Sequence, residues 1–299
     1  WRAVRGGPSG PGARRSGPAS AQPASPAAEA CLESPAYAEA IRRARSAARY
    51  EDPILILGET GTGKTRLARV IHEQSPRGSG PFVEMNCSAI AAGMVESELF
   101  GHERGAFTGA DQPRAGRFPA ADGARLFLDE VGDLSLEIQA KLLKAIEDKC
   151  VTPLGSDKPA RADVRLLAAT NRDLPALVAS GGFRADLYER LKAVVIRLPP
   201  LRERREEIRP LAERFLDERN EKYDESHRFT EEALAVLEAY SWPGNVREVK
   251  NAVTSSASAA LSEAIGPESL PNEISAASVG WLPRAATTIR MATGSPTSR

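Results

Sequence analysis

The residues that decide the fold are Gly58-Glu59-Thr60-Gly61-Thr62-Gly63-Lys64-Thr65. They match the pattern G-x(4)-G-K-[ST] between a short apolar run, Ile54–Leu57, and a helical run, Arg66–Gln74. Glycines let such a loop curl so that its backbone N–H groups face phosphate oxygens. In that arrangement Lys64 neutralises the β- and γ-phosphates, and the Thr65 hydroxyl holds Mg²⁺. We therefore predict a nucleotide-binding phosphate loop; the alternative is a chance match in a glycine-rich turn.

A second apolar run ends in two carboxylates. The stretch Leu126-Phe127-Leu128-Asp129-Glu130 has the form that accompanies phosphate loops in nucleoside triphosphatases. Adjacent side chains at the end of a strand point to opposite sides, so Asp129 can hold the Mg²⁺ shell while Glu130 activates the attacking water. The alternative is an ordinary acidic strand end before a turn.

Short apolar runs alternate with amphipathic stretches through most of the chain, which is typical of an α/β domain. Five runs predict buried, mostly parallel strands between helices: Ile54–Leu57, Phe82–Met85, Leu126–Leu128, Val164–Ala168 and Val194–Ile196. Three helical patterns follow: Glu206–Tyr223, Thr230–Tyr240 and Gly244–Ser262. The sequence therefore predicts an α/β subdomain at 31–200 and a small all-helical lid subdomain at 201–274.

The two ends of the sequence have a different composition from the middle. Residues 1–30 are rich in Gly, Pro, Ala, Ser and Arg, and residues 275–299 are rich in Thr, Ser and Ala. Such segments cannot bury enough apolar surface to offset the entropy lost on ordering. We expect a disordered linker or tail at 1–30 and an irregular tail at 275–299.

Charge and cysteine content restrict the class of protein. Lys+Arg 40 and Asp+Glu 40 balance, so the overall field does not favour nucleic acid or a membrane surface. Three separated cysteines, Cys31, Cys87 and Cys150, form no CxxC pair and favour reduced thiols over a disulfide framework or a zinc site. No apolar run approaches the roughly 18–20 residues that span a bilayer. We expect a cytoplasmic protein that makes no membrane contact.

One further stretch points to a known family. It reads Leu99-Phe100-Gly101-His102-Glu103-Arg104-Gly105-Ala106-Phe107-Thr108-Gly109-Ala110 and contains the hexapeptide GAFTGA. This stretch resembles the hallmark of sigma-54-dependent transcriptional activators, the bacterial enhancer-binding proteins, and the resemblance extends from about Ser34 to Ile274. It implies an AAA+ P-loop ATPase that forms a homo-oligomeric, hexameric ring and uses ATP and Mg²⁺. It also implies remodelling of the sigma-54 RNA polymerase holoenzyme, which permits open-complex formation.

The hexapeptide has the composition of a mobile contact loop, because its small residues give a flexible hairpin. The resemblance implies that this loop binds sigma-54 through the residues Gly105, Ala106, Phe107, Thr108, Gly109 and Ala110. Phe107 and Thr108 are expected at the tip of the loop. The alternative is a surface hairpin whose Phe107 folds back into the core.

Polar residues after two of the predicted strands match family positions that respond to the nucleotide. Asn86 resembles the switch asparagine that hydrogen-bonds Glu130 and relays the nucleotide state toward the loop; strand-end capping is the alternative. The stretch Ala169-Thr170-Asn171-Arg172 resembles sensor I, in which Thr170 or Asn171 reads the γ-phosphate.

Three arginines match further family motifs. Within Phe183–Leu191, Arg184 and Arg190 resemble arginine fingers that reach the nucleotide of a neighbouring subunit, a contribution worth roughly 10³–10⁵ in rate. An ion-paired surface helix is the alternative. Within Trp242–Glu248, Arg247 resembles the sensor II arginine, which lies over the phosphates of its own subunit at the start of a lid helix. A plain helix start is the alternative.

Two features depart from the family. Thr65 follows the phosphate-loop lysine where members commonly have an acidic residue, a change expected to leave magnesium binding intact. Irregular sequence follows Ile274 where members usually carry a helix-turn-helix, so specific DNA binding is expected to need a domain absent from this chain. Two other functions stay open: remodelling of a different client, and a nucleotide-binding scaffold that does not hydrolyse ATP.

Overall fold

The computed structural model describes residues 34–278, so the predicted tail at 1–30 and most of that at 275–299 lie outside the described residues. The α-helices are α1 (Pro35–Ala48), α2 (Lys64–Glu73), α3 (Ala92–Phe100), α4 (Arg117–Ala120), α5 (Leu136–Asp148), α6 (Leu174–Ala179), α7 (Ala185–Leu191), α8 (Ile208–Tyr223), α9 (Glu231–Ala239), α10 (Asn245–Ala259) and α11 (Asn272–Ser278). The strands are β1 (Ile54–Leu57), β2 (Phe82–Asn86), β3 (Gly101–His102), β4 (Arg114–Ala115), β5 (Arg125–Asp129), β6 (Cys150–Val151), β7 (Ala160–Arg161), β8 (Arg165–Thr170), β9 (Val194–Arg197), β10 (Arg228–Phe229) and β11 (Ala264–Ile265). Within this range, no helix combines the length and the apolar character needed to cross a membrane.

A five-stranded sheet with the order β2-β5-β8-β1-β9 organises the first part of the described chain. Each neighbouring pair in this sheet is parallel. The predicted five-stranded, mostly parallel sheet between helices is therefore confirmed. Because the strands run in one direction, the carboxyl ends of β1, β2, β5 and β8 lie at the same edge of the sheet.

Successive side chains of the strands pack on opposite faces of the sheet. Leu126 and Leu128 lie in one apolar core with residues of α3, α5 and α7. Phe127, between them, lies in a second core with residues of α1 and α2. Because both faces are covered, the strands are apolar runs and do not alternate between apolar and polar residues.

Two arginines are buried at the amino ends of adjacent strands. Arg125 of β5 and Arg165 of β8 are in register and at most 2% exposed. Arg165 donates to the carbonyls of Ala47 and Ala48, the last residues of α1, at 2.7 and 2.9 Å. The last carbonyls of a helix lack partners within it; here the guanidinium supplies donors to both, and the Tyr50 N–H also donates to Ala47 at 3.2 Å.

Residues 201–274 form the lid subdomain, which has its own apolar core. Trp242 is fully buried in this core and donates its indole N–H to the carbonyl of Leu237 at 2.8 Å. The predicted helical lid is confirmed; within it, β10 and β11 add a short parallel pair of two-residue strands. Helix α11 also continues to Ser278, past the expected end of the lid at 274.

Two short antiparallel pairs form insertions beyond the main sheet. The pair β3 and β4 brackets the segment that contains GAFTGA, and the pair β6 and β7 brackets residues 152–159. The two insertions contact each other, because Glu103 N–H donates to the Leu154 carbonyl at 2.9 Å and Leu154 N–H donates to the Gly101 carbonyl at 3.0 Å.

Candidate nucleotide site

A cavity of about 600 Å³ lies at the carboxyl edge of the sheet, between the phosphate loop (residues 58–65) and the lid. Several residues predicted from different motifs line this nucleotide cavity: Thr60, Gly61, Gly63, Lys64, Thr65, Asn86, Asp129, Glu130, Asn171 and Arg247. Other predicted nucleotide-site residues are not among its lining residues: Gly58, Glu59, Thr62, Thr170, Arg184 and Arg190. The fold therefore brings together residues that lie up to 187 positions apart in sequence, from Thr60 to Arg247.

The phosphate loop has the backbone geometry that its glycines permit. Gly61 and Gly63 have φ values of +82° and +104°, in the left-handed region that residues with a Cβ rarely adopt. Helix α2 begins directly after the loop, at Lys64. Lys64 is 5% exposed, and its Nζ donates to the Gly58 carbonyl at 3.1 Å. The loop thus surrounds its own lysine.

The phosphate-loop lysine and the second carboxylate form an ion pair. Lys64 Nζ lies 3.1 Å from Glu130 Oε1. The other oxygen, Glu130 Oε2, accepts a hydrogen bond from the backbone N–H of Asn171 at 3.0 Å. Glu130 has a φ of +55°, a strained conformation for a residue with a side chain. The carboxylate is therefore held in the cavity by the first residue of α2 and by the residue that follows β8.

Asp129 lies in an environment that opposes its negative charge. Burial and the neighbouring Glu130 both raise the pKa of Asp129. Burial also raises the pKa of the nearby Cys87 thiol to about 12. The partly buried Asp129 carboxylate and the Thr65 hydroxyl belong to residues that line the same cavity, and they are oxygen ligands of the kind that Mg²⁺ prefers, together with phosphate and water. The residues present therefore fit a magnesium ion.

The predicted hydrogen bond between Asn86 and Glu130 is not formed in this structure. The Asn86 amide oxygen accepts hydrogen bonds from the backbone N–H groups of Ser88 and Ala89, at 3.0 and 3.2 Å. It also accepts one from the Ser88 hydroxyl at 2.8 Å. Asn86 thus caps the short helical turn after β2, which was the alternative interpretation. Its role as a switch stays a prediction.

The two sensor I candidates lie in different environments. Thr170 is fully buried, and its hydroxyl accepts a hydrogen bond from the Arg172 N–H at 3.1 Å. Asn171 lines the cavity and donates from its side chain to the Thr60 hydroxyl of the phosphate loop at 2.9 Å. Of the two, only Asn171 lines the nucleotide cavity, and its contact with the γ-phosphate stays a prediction.

The two predicted arginine fingers are exposed and do not line the nucleotide cavity of their own chain. Arg184 immediately precedes α7 and pairs with Asp186, with Nε and Nη2 at 3.0 and 2.6 Å from its carboxylate. Arg190 is exposed in the last turn of the same helix. This geometry agrees with a role toward a second subunit and equally with an ion-paired surface helix.

The lid contacts the phosphate loop through residues that the sequence interpretation missed. Arg202 forms a bidentate pair with Glu59, at 2.7 and 2.8 Å. The Asn245 side chain also donates to Glu59, at 3.2 Å. The motif around Arg247 contains Asn245 and could have singled it out, whereas Arg202 carried no such signal.

The GAFTGA loop (residues 105–110) is a closed turn. Gly105 N–H donates to the Ala110 carbonyl at 2.8 Å, and Ala110 N–H donates to the Phe107 carbonyl at 3.0 Å. Thr108 is exposed, as expected at the tip. Phe107 is instead half-buried, with its ring centroid 5.0 Å from that of His102 in an edge-on arrangement. The aromatic contact removes apolar surface from water, which explains why Phe107 is not fully presented.

This sheet order, the phosphate loop after β1, the carboxylates that end β5 and the separate lid define the AAA+ class of P-loop ATPases. Residues 30–197 match the sigma-54 interaction domain family, and residues 202–285 match the AAA+ ATPase lid domain family. The chain therefore belongs to the sigma-54 interaction domain family. The predicted fold class and the stated resemblance are confirmed.

The chain is similar to several regulatory proteins and to one with solved structures. It is 48% identical over 235 residues to a Nif-specific regulatory protein of Sinorhizobium fredii. This aligned region covers 79% of this chain and 40% of that protein. It is 52% identical over 221 residues to the alginate biosynthesis transcriptional regulatory protein AlgB of Pseudomonas aeruginosa. Here the aligned region covers 74% of this chain and 49% of AlgB. The crystal structure of NtrX from Brucella abortus in complex with ATP superposes with a TM-score of 0.76 at 35% sequence identity. The superposition covers 86% of this chain and 56% of the NtrX chain. The match thus spans less than half the length of these two curated relatives.

Proposed function

We propose that this chain binds ATP and Mg²⁺ in the nucleotide cavity, hydrolyses ATP, and thereby remodels the sigma-54 RNA polymerase holoenzyme to permit open-complex formation. One observation carries the proposal: the phosphate-loop lysine, Lys64, lies 3.1 Å from the carboxylate that would activate water, Glu130, in a cavity also lined by Arg247. Membership of the sigma-54 interaction domain family supports the partner. The ATP complex of the similar NtrX supports the ligand.

The residues of the cavity have distinct chemical roles in this proposal. The backbone N–H groups of residues 58–65 and the Lys64 amine bind phosphate oxygens, and a phosphate can replace Glu130 as the partner of Lys64. Glu130, released from that ion pair, accepts a proton from the attacking water. Asn171 contacts the γ-phosphate, and Arg247 neutralises phosphate charge. Mg²⁺ held by Asp129 and Thr65 would stabilise the developing charge on the phosphates.

The active site is shared between subunits in this proposal. Arg184 and Arg190 are exposed and lie outside the cavity of their own chain, so they are free to complete the site of a neighbouring subunit. A homo-oligomeric ring, which we take to be a hexamer, brings each pair to the next cavity. Because RNA polymerase is the partner, we place this assembly in the cytoplasm; DNA binding would be supplied by a domain outside this sequence.

The GAFTGA loop is the proposed sigma-54 contact. Thr108 is already exposed, whereas Phe107 must leave His102 before its ring can bind a partner. Asn86 lies beside Asp129 in the register of β2 and β5, which supports a relay from the cavity toward the insertions.

The coupling between hydrolysis and remodelling can be tested with Thr108→Ala. Purified protein, sigma-54 holoenzyme and a pre-melted promoter would be assayed for ATP hydrolysis and for isomerisation together. We expect hydrolysis to be retained and isomerisation to be lost, because Thr108 does not line the nucleotide cavity. Thr254→Ala, at an exposed position of α10, is the matched control. Loss of both activities in Thr108→Ala would assign the loop a different role.

The shared site can be tested by mixing two inactive variants. Arg184→Ala keeps Glu130 but lacks a finger, and Glu130→Gln keeps the finger but lacks the base. A mixed ring contains complete sites, so the mixture is expected to hydrolyse ATP faster than either variant alone. Equal rates in the mixture and in the separate variants would contradict a finger supplied by a neighbour.

A further inference from the structure

A fully buried side chain at the start of α10 is one of the lid groups that contact the phosphate loop. Asn245, the first residue of α10, is fully buried. Its φ of +55° lies in the left-handed region, which asparagine adopts more readily than most residues. Arg247, which lines the nucleotide cavity, follows two residues later on the same helix. The backbone conformation of Asn245 therefore sets the direction in which α10 leaves the preceding turn.

The Asn245 amide uses both its acceptor and its donor. Its oxygen accepts a hydrogen bond from the Leu201 N–H, at the start of the lid, at 2.7 Å. Its nitrogen donates to the Thr60 carbonyl at 3.1 Å and to a Glu59 carboxylate oxygen at 3.2 Å. One side chain thus joins the beginning of the lid, the start of α10 and the phosphate loop.

The backbones of the loop and the lid are also in direct contact at this point. A Cβ on Gly61 would lie 2.2 Å from the Gly244 carbonyl oxygen and 3.1 Å from the Cβ of Arg247. Only glycine allows so close an approach. Any rotation of the start of α10 therefore moves Arg247 relative to the phosphate loop.

We propose that Asn245 is a positioning residue for nucleotide binding: it fixes the start of α10 on the phosphate loop and so places Arg247 against the phosphates. The inference rests on the proposed function, because it assumes ATP as the ligand. An amide is required here because aspartate would lose the donor to Thr60 and place a second carboxylate beside Glu59. Arg202 assists by pairing with the same Glu59 from the lid.

The variant Asn245→Gly removes the amide and keeps the left-handed backbone accessible, since glycine adopts positive φ without strain. The dissociation constant for ATP is expected to rise about tenfold relative to the unchanged protein. Asp224→Gly is the matched control, because Asp224 has a φ of +56° at the exposed end of α8 and does not line the cavity. The control is expected to bind ATP as the unchanged protein does.

A double-mutant cycle separates positioning from a general loss of stability. If Asn245 acts through Arg247, then Arg247→Ala weakens ATP binding strongly on its own but by less than about twofold when Asn245→Gly is already present. On the Asp224→Gly background, Arg247→Ala should have its full effect. Additive effects of Asn245→Gly and Arg247→Ala would overturn the inference.

Binding measurements keep this test separate from that of the proposed function. If the unchanged protein binds ATP without hydrolysing it, the proposed hydrolysis fails while the cycle still decides the role of Asn245. If hydrolysis is normal and the effects are additive, only the inference fails.

Should Asn245→Gly not fold, the half-exposed Arg202 provides a second variant. Arg202→Gln is expected to weaken ATP binding about threefold, and unchanged binding would contradict the inference.

Discussion

The strands β5 and β8 have polar residues at both ends, and the polar residues at the two ends have different kinds of partner. At the amino ends, Arg125 and Arg165 are buried and donate to backbone carbonyls. At the carboxyl ends, Asp129 and Glu130 border a cavity, and Glu130 is paired with the side chain of Lys64. Backbone carbonyls keep their places in the fold, whereas the Lys64 amine can exchange one partner for another.

The comparison distinguishes charges that stabilise the fold from charges that are retained for chemistry. Arg165 donates to three carbonyls and completes the end of α1, so its burial is compensated. Asp129 is partly buried beside Glu130, and both effects raise its pKa. The Asp129 carboxylate therefore lies in surroundings that disfavour its negative charge until a cation binds beside it.

The largest effect is expected at the carboxyl edge, from Glu130→Gln. The amide keeps the shape of the side chain but cannot accept the proton of the attacking water. We expect turnover to fall about 10³-fold, or about 4 kcal/mol in activation free energy, while ATP still binds. Steady-state hydrolysis and equilibrium binding of ATP would be measured on the same preparation.

A matched control for this variant is Glu137→Gln. Glu137 is an exposed carboxylate in the first turn of α5, and its pair with Lys141 is 3.4 Å long. It should hydrolyse ATP at the unchanged rate. Normal turnover in Glu130→Gln would show that another group accepts the proton.

The next largest effect is expected at the amino edge, from Arg165→Met. This change leaves the carbonyls of Ala47, Ala48 and Asp52 without the donors that now lie at 2.7, 2.9 and 3.3 Å. The loss of these hydrogen bonds from a buried guanidinium should lower the free energy of unfolding by about 3 kcal/mol, because Ala47 and Ala48 keep only longer bonds, from the Tyr50 N–H at 3.2 Å and from Arg125 at 3.4 Å. Urea denaturation monitored by circular dichroism measures this difference.

The neighbouring Arg125→Met sharpens that prediction. The Arg125 hydrogen bonds are long, at 3.3 and 3.4 Å, and its Nε has no partner among the described residues. Burial and the adjacent Arg165 lower the pKa of Arg125 to about 9, which indicates poor compensation of its charge. We expect Arg125→Met to change the unfolding free energy by less than about 1 kcal/mol. Equal losses in the two variants would remove the distinction between them.

The carboxyl edge could be predicted from sequence because its residues occur in contiguous motifs. Residues 58–65 and the stretch ending at Glu130 each combine a strand, a turn and the functional groups within a few positions. Parallel strands then bring these groups to one edge without further information. The core strands were placed within two residues of their observed bounds for the same reason: each is a buried apolar run.

The contacts that sequence could not predict depend on how segments that are distant in sequence pack against each other and on which of several hydrogen-bond partners a side chain takes. Asn86 has several hydrogen-bond partners within reach, and nothing local decides between Glu130 and the cap it forms. The pairing of β10 with β11 joins two-residue strands separated by more than thirty residues, too short for a periodic signal. Phe107 and its contact with His102 likewise depend on how the hairpin folds back.

An effect smaller than that of Arg165→Met, and opposite in sign, is expected at the carboxyl edge: a gain in stability from Asp129→Asn. Burial and Glu130 raise the pKa of Asp129 above its ordinary value of 3.8, so the ionised carboxylate destabilises the folded chain. At pH 7 without ligand, Asp129→Asn should raise the free energy of unfolding by about 1 kcal/mol. Below pH 3.8 the carboxyl is protonated in both the folded and the unfolded chain, so this advantage should disappear.

Asp129→Asn should lose the stabilisation that ATP and Mg²⁺ give to the unchanged protein. A ligand stabilises the folded chain only to the extent that it binds there. Asp217→Asn, at an exposed position of α8, controls for the loss of one negative charge and should change neither quantity. Urea denaturation at pH 7 and at low pH, with and without ATP and Mg²⁺, measures both effects. A loss of stability in Asp129→Asn without ligand would mean that the carboxyl edge is compensated as fully as the amino edge, and the contrast between the two ends of β5 would fail.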